Sequence, residues 1–396
     1  MESNLTNEEM KELTAKAIAK APTTVDMAIK NSGSRRNFIL IGTGDGGCNI
    51  ANAIHAAIPE TCFIAYNTTN AIDAMHADLK IIPTGLDGSG KVRKYSQEVF
   101  KQVVYEKVLE VVTKVAEDAQ YDYIMIVTTT DGGTGGGVSP MMAKLLKDNL
   151  NIPVMMMGVY PSLQEDSTAQ CNAMKWQSEV EKIDVPYIIL DNNDEMVKLE
   201  AQKKVNAQAV EIAKVLVGQP FGSTNLSAID NRDMYMLMAH MGKRICAYIT
   251  EKKPAIGESP EDTLIRIMGD FNEPKASDTM GYGLFVKAPA EILNKCDTSL
   301  SKIRAICGDA PVQYTHMEES PDVTFALICA GCAEATPRIE EMRKKYDSTQ
   351  ANRPKSTSSV NSLLDDIVDP FGIVGGPDRP KTVKKTATVD TSALDL

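Results

Sequence analysis

The residues of this chain best suited to chemistry form a glycine-rich stretch, Thr128–Pro140, in which five glycines surround one threonine. The stretch follows an apolar run, Tyr123–Val127, that predicts a buried strand. It precedes a helical pattern, Met141–Leu150, with Ser139 as the N-cap and Pro140 at the first helical position. Such a loop lets a ligand approach the backbone, and backbone N–H groups beside a helix N-terminus bind anions. We therefore interpret the stretch as a phosphate-binding loop and not as a flexible linker.

Two further glycine-rich turns precede this loop in the chain. One, Gly42–Asn49, follows an apolar strand at Phe38–Ile41, and the other spans Gly85–Lys91. The first satisfies the G-x-G-x-x-G pattern of dinucleotide-binding folds, so an NAD(P)-dependent oxidoreductase is one alternative. That fold expects an acidic residue at the end of the second strand, whereas the strand predicted at Cys62–Tyr66 is followed by Asn67. Three glycine turns on one edge can surround a whole phosphate chain, which is more than a dinucleotide turn needs.

The elements around these turns alternate between strand and helix as far as Tyr187–Leu190. This order predicts an α/β fold, in which a parallel sheet has helices on both faces and binds ligands beyond the carboxyl ends of its strands. A long central helix within Glu195–Val217 would carry the chain about 30 Å away from that edge, at ~1.5 Å per residue. It joins the sheet to a smaller α+β second domain with strands at Gly283–Lys287 and Val323–Cys329.

Composition and spacing divide the chain into five parts. We predict an N-terminal extension with an amphipathic helix, a phosphate-binding domain, the central helix, a second domain closed by a helix from Thr336, and a disordered tail rich in Ser, Thr, Pro, Lys and Asp. Their boundaries are 1–36, 37–194, 195–222, 223–346 and 347–396.

The net charge of −11 at pH 7 argues against a general nucleic-acid-binding surface. No apolar run reaches the ~18 residues needed to span a bilayer, and the polar N-terminus is unlike a signal peptide, so we predict a cytoplasmic protein. The eight cysteines are scattered singly apart from Cys329-Ala-Gly-Cys332, which is weak evidence for zinc without a second pair or nearby histidines. We predict reduced core thiols and no metal held by protein ligands.

In their order along the chain, these motifs resemble those of the tubulin/FtsZ GTPase superfamily over roughly residues 37–340. Asp131–Gly137 resembles the family signature Gly-Gly-Gly-Thr-Gly-Thr/Ser-Gly, with Asp131 replacing its first glycine and Gly136 its second hydroxyl residue. Pro140 matches the downstream proline of the family.

The chain departs from the FtsZ pattern at two further positions. Pro161–Glu165 matches the ribose loop of the family, but the arginine that follows it four residues later is replaced by Ala169. The family also has paired catalytic acids, which match Asp230 and Asp233, and the asparagine two residues before the first acid is replaced by Ala228. The N-terminal helix and the tail are more similar to the divergent TubZ-type tubulins of plasmids and phages.

The resemblance implies GTP or GDP as the ligand, with Mg²⁺ carried on the nucleotide. The residues that it implies at the nucleotide come from the glycine turns, the loop after the second strand, the ribose loop and the base-recognising asparagines. They are Gly44, Asp45, Gly46, Gly47, Asn49, Asn67, Thr68, Gly88, Ser89, Gly90, Gly132, Gly133, Thr134, Gly135, Gly136, Gly137, Glu165, Asn193 and Asn206.

The resemblance further implies that Asp230 and Asp233 are the paired acids of a catalytic loop. Both follow the far end of the central helix, about 30 Å from the nucleotide edge by helix rise, so they cannot reach a phosphate in their own subunit. They would act on a neighbour stacked head to tail, and a heterologous contact that does not close generates a filament. Alternatively, Asp230 only caps the next helix and Asp233 interacts with its positive end.

The expected protein is thus a GTP-hydrolysing filament former. We predict a role in plasmid or phage DNA segregation, through an adaptor bound by the tail, with Leu363–Phe371 as the candidate docking segment. No direct nucleic-acid contact and no membrane partner is predicted. The alternatives are an FtsZ-type cell-division ring, a nucleotide-binding polymer without useful turnover and, more remotely, the oxidoreductase.

Overall fold

In the computed structural model, the described residues belong to one compact unit within Arg36–Leu396. The structure describes residues 37–83, 86–119, 121–192, 198–218, 229, 231–240, 244–250, 253–270, 279–296, 310, 312–351 and 387–390. The predicted N-terminal helix and the candidate docking segment Leu363–Phe371 lie outside these residues.

The centre of the sheet consists of parallel strands that are buried on both faces, which explains their nearly continuous apolar sequences. They are β1 (Phe38–Thr43), β2 (Cys62–Tyr66), β3 (Leu79–Pro83), β4 (Tyr123–Thr129), β5 (Val154–Tyr160) and β6 (Tyr187–Asp191). Their order across the sheet is β3-β2-β1-β4-β5-β6, and every neighbouring pair is parallel. The predicted parallel sheet is confirmed, with the carboxyl ends of its strands at one edge.

Helices cover both faces of this sheet. They are α1 (Gly44–Ala57), α2 (Arg93–Val99), α3 (Tyr105–Asp118), α4 (Thr134–Asn149), α5 (Ser167–Ile183), α6 (Lys198–Val217), α7 (Asn231–Tyr235), α8 (Pro260–Asp270), α9 (Ala290–Leu293) and α10 (Thr336–Ala351). A π-helical segment, Phe100–Val104, joins α2 to α3, and a second, Met236–His240, follows α7. Helices α1 and α6 bury their apolar residues on one face, and α3, α4, α5 and α10 bury theirs on the other. Helix α6 is the predicted central helix.

The sheet continues beyond β6 into the second half of the chain. Its strands are β7 (Arg244–Thr250), β8 (Gly281–Ala288), β9 (Val312–Glu319) and β10 (Thr324–Cys332), in the order β7-β10-β8-β9. Strand β7 is parallel to β6, β10 is antiparallel to β7 and β8, and β9 is parallel to β8. The sequence predicts β8 and β10 but neither β7 nor β9. The boundaries of the predicted second domain stay a prediction.

The C-terminal region differs from the predicted disordered tail at 347–396 in two places. Helix α10 continues to Ala351, past the predicted boundary. Residues Ala387–Asp390 form a strand, β11, which lies antiparallel to β3 at the edge of the sheet. The tail therefore contains an ordered element that composition alone did not reveal.

The helix after the glycine-rich stretch also begins earlier than predicted. Helix α4 starts at Thr134, so Ser139 is not its N-cap and Pro140 lies inside it. The Gly135-Gly-Gly137 run forms the first turn of the helix despite the low helix propensity of glycine, because tertiary packing overrides that propensity.

Candidate functional site

Two helix N-termini meet beyond the carboxyl ends of β1 and β4. Gly44, the first residue of α1, has φ of +68°, and a Cβ added there would lie 2.8 Å from the backbone nitrogen of Gly135 in α4. Among the described residues, neither helix has a side-chain cap: the side chain of Thr43 makes no capping hydrogen bond, and Gly133 has no side chain to make one. The N–H groups of both first turns are therefore available to a ligand, and helix N-termini carry positive partial charge. This geometry suits a phosphate group.

A junction of hydroxyl groups joins three loops at the same place. The Oγ1 atoms of Thr68 and Thr134 lie 2.7 Å apart, and Thr134 Oγ1 lies 3.1 Å from Ser89 Oγ. The backbone N–H of Gly88 donates to the carbonyl of Thr68. The loop after β2, the loop after β3 and the start of α4 thus form one polar surface, as the sequence requires of its proposed phosphate loops.

Asn67, which stands where a dinucleotide-binding fold expects an acid, organises the loop after β2. Its amide nitrogen donates to the carboxylate of Asp45 and to Thr69 Oγ1, and its amide oxygen accepts from the N–H of Thr68 at 2.8 Å. Asp45 itself is exposed in the first turn of α1. The side chain of Asn67 is therefore committed to fixing the loop that presents Thr68.

Most glycines of the site are required by close packing against backbone or side-chain atoms. A Cβ on Gly46 would lie 2.4 Å from Thr129, and one on Gly47 would lie 2.4 Å from the carbonyl of Val127. The same holds for the start of α4. There an added Cβ would lie 2.4 Å from Ser89 if placed on Gly133, 2.6 Å from Thr43 on Gly135, 2.3 Å from Thr130 on Gly136 and 3.1 Å from Arg93 on Gly137.

Two glycines of the site are open instead. A Cβ on Gly132 would have its nearest neighbour at 4.0 Å, and one on Gly90 would have none within 4 Å, although Gly90 has φ of +56°. Gly132 is thus the position where space, and not packing, is left for a ligand.

Arg93 is a buried residue that the sequence analysis missed, and it supports the start of α4. Pro140 lacks an N–H, so it cannot make the helical hydrogen bond to the carbonyl of Gly136. The guanidinium of Arg93 donates to that carbonyl, and also to the carbonyl of Asn172 at 3.3 Å and to the carboxylate of Glu179. The signal in the sequence was a proline four residues after a glycine in a helix, which leaves a carbonyl that needs another donor.

A cluster of charges borders the open side of the loop. Lys91 Nζ lies 2.6 Å from the carboxylate of Asp166, the N-cap of α5. Burial alone would lower the pKa of Lys91. The hydrogen bond from Lys91 to Asp166 and the negative charges of Asp166, Asp131 and Glu165 outweigh burial, so the pKa of Lys91 is raised. Burial raises the pKa of Asp131, partly offset by a hydrogen bond from its own N–H and by Lys91. Burial would also raise the pKa of Asp166, but the hydrogen bonds that it accepts from Lys91 and from the N–H of Ala169 outweigh burial and lower that pKa.

The two described residues that are predicted to contact the base lie on helices that contact each other, and the predicted ribose residue lies in a turn. Asn49 is exposed on α1, and Asn206 is half-buried on α6, which contacts α1. Glu165 lies in the turn before α5, where its N–H donates to the carbonyl of Ser162. Asn193 lies outside the described residues.

Arg338 of α10, also missed, connects the loop that begins at Pro161 to the end of β6. Its guanidinium donates to the carboxylate of Asp191, at the end of β6, at 2.6 Å. It also donates to the carbonyl of Pro161, which opens the ribose loop, at 2.6 Å. Arg338 and Asp191 are both buried, so the pair fixes the ribose loop relative to the end of β6.

Asp233 is separated along the chain from the carboxyl ends of the parallel strands by the whole of helix α6. Asp233 is half-buried in α7, after the 20 residues of α6, which span about 30 Å. Arg244, the first residue of β7, pairs with Tyr187, the first residue of β6, so the chain re-enters the sheet at the opposite end of the strands. Asp230 lies outside the described residues.

The described residues contain no group of three or more His, Cys, Asp or Glu side chains placed to hold a metal ion. Cys329 and Cys332 are buried in the apolar core around β7, β8 and β10. Within the described part of the chain, no helix has both the length and the apolar character needed to cross a membrane.

Comparison with known proteins agrees with this geometry. The family model described as "Tubulin/FtsZ family, GTPase domain" matches residues 37–200. The tubulin-like protein CetZ2 of Haloferax volcanii is 28% identical over 375 residues, which cover 90% of this chain and 93% of that protein.

Solved structures of tubulin-like proteins share the fold. Tail-truncated TubZ of Clostridium botulinum phage c-st superimposes with a TM-score of 0.64 at 18% identity, covering 80% of this chain and 98% of that one. The GTPγS-bound protofilament of Haloferax volcanii CetZ2 gives a TM-score of 0.62 at 17% identity, covering 80% and 99% of the two chains.

Proposed function

We propose, because residues 37–200 match the model of the tubulin/FtsZ family GTPase domain, that the protein polymerises head to tail and that each subunit completes the GTPase site of its neighbour. In this proposal GTP or GDP binds at the meeting point of α1 and α4, and the acidic loop at Asp230 and Asp233 acts on the nucleotide of the adjacent subunit. The observation that carries the binding site is the approach of Gly44 to Gly135, which directs two uncapped helix N-termini at one volume.

Guanine is the base that we propose for this site. Asn49 and Asn206 lie on α1 and α6, which contact each other, and their amides offer both donors and acceptors to a base edge. Asn193, the third asparagine of the proposal, follows β6 in the sequence. A competition titration tests the preference: GTP should displace ATP, and displacement of bound GTP by ATP at equal concentration would contradict it.

In this proposal the nucleotide binds without a set of protein side chains that coordinate a metal ion. Backbone N–H groups of α1 and α4 supply donors for phosphate oxygens, and so does the hydroxyl of Ser89, which accepts from Thr134 and keeps its own hydrogen. Mg²⁺ would then be held mainly by phosphates and water, as is usual for this ion, and would neutralise charge on the leaving phosphates.

Catalysis in trans is supported by the length of α6. A carboxylate that orients water for in-line attack must lie within hydrogen-bond reach of that water. Asp233 follows a helix that leads about 30 Å from the phosphate edge, so a second subunit is needed to bring the two together. A head-to-tail contact between identical subunits supplies that geometry and produces a filament. The CetZ2 relative has been observed as a protofilament.

For the cellular role we propose segregation of plasmid or phage DNA through an adaptor that binds the C-terminal tail. The similarity to a phage TubZ supports this role, and the acidic net charge of −11 favours an adaptor over direct DNA contact. A cell-division ring is the second candidate, supported by the similarity of part of the chain to a protein named as cell division protein FtsZ. A pull-down with the full chain and with a chain ending at Ala351 separates the two, because the roles differ in the partner that is retained.

The oxidoreductase alternative has little support. It requires an acidic side chain for the ribose at the position of Asn67, which is instead bonded to Asp45 and Thr69. Sedimentation of the protein with GTP, GDP and NADH, with phosphate release measured in parallel, tests the proposal. Pelleting and phosphate release only with GTP are expected; binding of NADH without either would contradict it.

A further inference from the structure

The C-terminal segment lies on the outer edge of the sheet. Strand β11, Ala387–Asp390, pairs antiparallel with β3 and is the last strand on that side. In the register, Thr388 stands opposite Ile82, Val389 opposite Ile81 and Asp390 opposite Lys80. Residues 352–386 connect the end of α10 to this strand.

Strand β3 has the properties of an edge that accepts one added strand. Without β11 its outer side would present unpaired backbone groups, which are a template for strand addition. The β-branched residues Thr388 and Val389 favour extended backbone. In the register, Asp390 stands opposite Lys80, a residue of opposite charge.

The same strand contacts the phosphate loops on its other side. Ile81 pairs with Tyr66 of β2, and its carbonyl accepts a hydrogen bond from the N–H of Asn67 at 3.3 Å. Beyond β3 the chain leads to Gly88 and Ser89, which contact Thr68 and Thr134. Pairing of a strand with the outer side of β3 therefore takes place on the strand whose inner side contacts the proposed phosphate loops.

We propose that the outer edge of β3 is a docking site for an extended peptide strand, and that Ala387–Asp390 of the same chain occupies it. The docked tail covers an edge that could otherwise pair with another chain, and it holds β3 where Ile81 supports the loop at Asn67. A partner that binds the tail must then compete with β3 for it. This goes beyond the GTPase proposal, and its tests use nucleotide-free protein, so the two can fail separately.

Disulfide trapping tests the register and the identity of the occupant. The pair Ile82→Cys and Thr388→Cys places two thiols directly opposite each other, at a Cβ separation of about 4.5–5.5 Å, close to disulfide range. The control pair, Ile82→Cys and Val389→Cys, directs the thiols to opposite faces. Chain with only its eight native cysteines reports background cross-linking.

We expect the in-register pair to form a monomeric, intramolecular cross-link under mild oxidation at low protein concentration. Cross-linking that appears only as dimers would show that the tail of another copy occupies the edge, which overturns the assignment to the same chain. Equal cross-linking of both pairs would overturn the register.

Hydrogen exchange tests docking without any cross-link. Replacing both Thr388 and Val389 by proline removes the N–H that one of them directs at β3, because alternate residues of an antiparallel strand face the partner. The carbonyl and N–H of Ile81 face β2, so the amides of β3 that face β11 are those of Lys80 and Ile82. Exchange at these two amides should become at least about tenfold faster, and Ser392→Pro, beyond the described strand, should leave it unchanged. A peptide of residues 383–394 should restore protection to the double-proline variant, and the same peptide with both prolines should not. Unchanged exchange in the double-proline variant would contradict the proposal.

Discussion

The hydroxyl oxygens of Thr68 and Thr134 lie 2.7 Å apart, although 66 positions separate the two residues in the chain. Thr68 ends the turn after β2, and Thr134 begins α4 after β4. Strand β1 lies between β2 and β4, so the contact exists only because three parallel strands present their carboxyl ends at one edge. Ser89 joins the same junction from the loop after β3. The fold thus builds one polar surface from three separate loops.

Thr134→Val tests the importance of this junction. Valine keeps the shape of threonine but removes the hydroxyl shared by Thr68 and Ser89, and an unmade buried hydrogen bond costs about 1–3 kcal/mol. We expect the dissociation constant for GTP to rise about tenfold or more, measured by fluorescence titration with a labelled nucleotide. Thr113→Val, on α3, is the matched control and should bind normally. Unchanged affinity in Thr134→Val would remove the junction from the site.

Gly135→Ala and Gly132→Ala form a matched pair within one loop. The added Cβ lies 2.6 Å from Thr43 and Thr128 at Gly135, but 4.0 Å from its nearest neighbour at Gly132. We expect Gly135→Ala to displace the first turn of α4, which lowers both the melting temperature and GTP binding. Gly132→Ala should fold normally, so its nucleotide affinity reports on ligand space alone. Thermal melts that rank the two variants in the reverse order would refute the packing explanation.

Arg93 and Pro140 should be energetically coupled through the carbonyl of Gly136. Arg93→Met leaves that buried carbonyl without its side-chain donor and Glu179 without its partner, at a cost of about 2–4 kcal/mol. Pro140→Ala restores a backbone N–H that can bond to the carbonyl, so it should recover part of the loss in the Arg93→Met background. Urea denaturation of both single variants and the double variant gives the coupling energy. Strict additivity would show that the two residues do not share this carbonyl.

Asp131→Asn should stabilise the nucleotide-free protein in a pH-dependent way. Burial raises the folded-state pKa of Asp131, so ionised Asp131 costs stability at neutral pH. That cost disappears once the group is protonated in both states, below about pH 4. We expect the variant to have a higher free energy of unfolding at pH 7, with the advantage shrinking as the pH falls.

Asp166→Asn is the opposite control for this prediction. Its folded-state pKa is lowered, so the ionised group contributes stability at neutral pH that is lost on acidification. The variant should be less stable than the parent at pH 7, with the difference shrinking at low pH. Denaturant curves at pH 7 and pH 4 measure both effects, and an advantage of Asp131→Asn that grows toward acid would contradict the account.

The sequence predicted the parallel sheet well because its strands are apolar on both faces and bounded by glycine turns. Prediction from the sequence failed where tertiary packing overrides the local conformational preference of the residues. The triple glycine after Thr134 favours a loop by propensity, but the helix packs closely on Thr43 and Thr130 and needs glycine there. Strand β7 carries a buried arginine, Arg244, and β9 carries polar residues at most positions, so neither has a clear strand pattern.

The supporting residues of the site were hidden for a related reason. Arg93 and Arg338 act through partners 43 and 147 positions away, Gly136 and Asp191. At most, the sequence marks the carbonyl of Gly136 that Pro140 leaves without a helical donor; only the fold shows which arginine reaches it. The glycines and hydroxyl residues were visible because each belongs to a glycine-rich or polar segment that follows a predicted strand.

The central claim is that Asp233 completes the nucleotide site of the next subunit. Asp233→Ala should bind GTP and assemble, because the phosphate loops are untouched, but hydrolysis should fall about 10²-fold or more. Gly132→Glu provides the partner variant: it adds a negative charge at the open position of the phosphate loop and should fold without binding GTP.

The most direct measurement is phosphate release from mixtures of these two variants, with co-assembly verified by sedimentation of differently labelled proteins. In mixed filaments the intact Asp233 of nucleotide-free subunits faces GTP held by Asp233→Ala subunits. The account predicts that phosphate release rises well above that of either variant alone. Confirmed co-assembly with hydrolysis still at the level of Asp233→Ala alone would contradict catalysis between subunits.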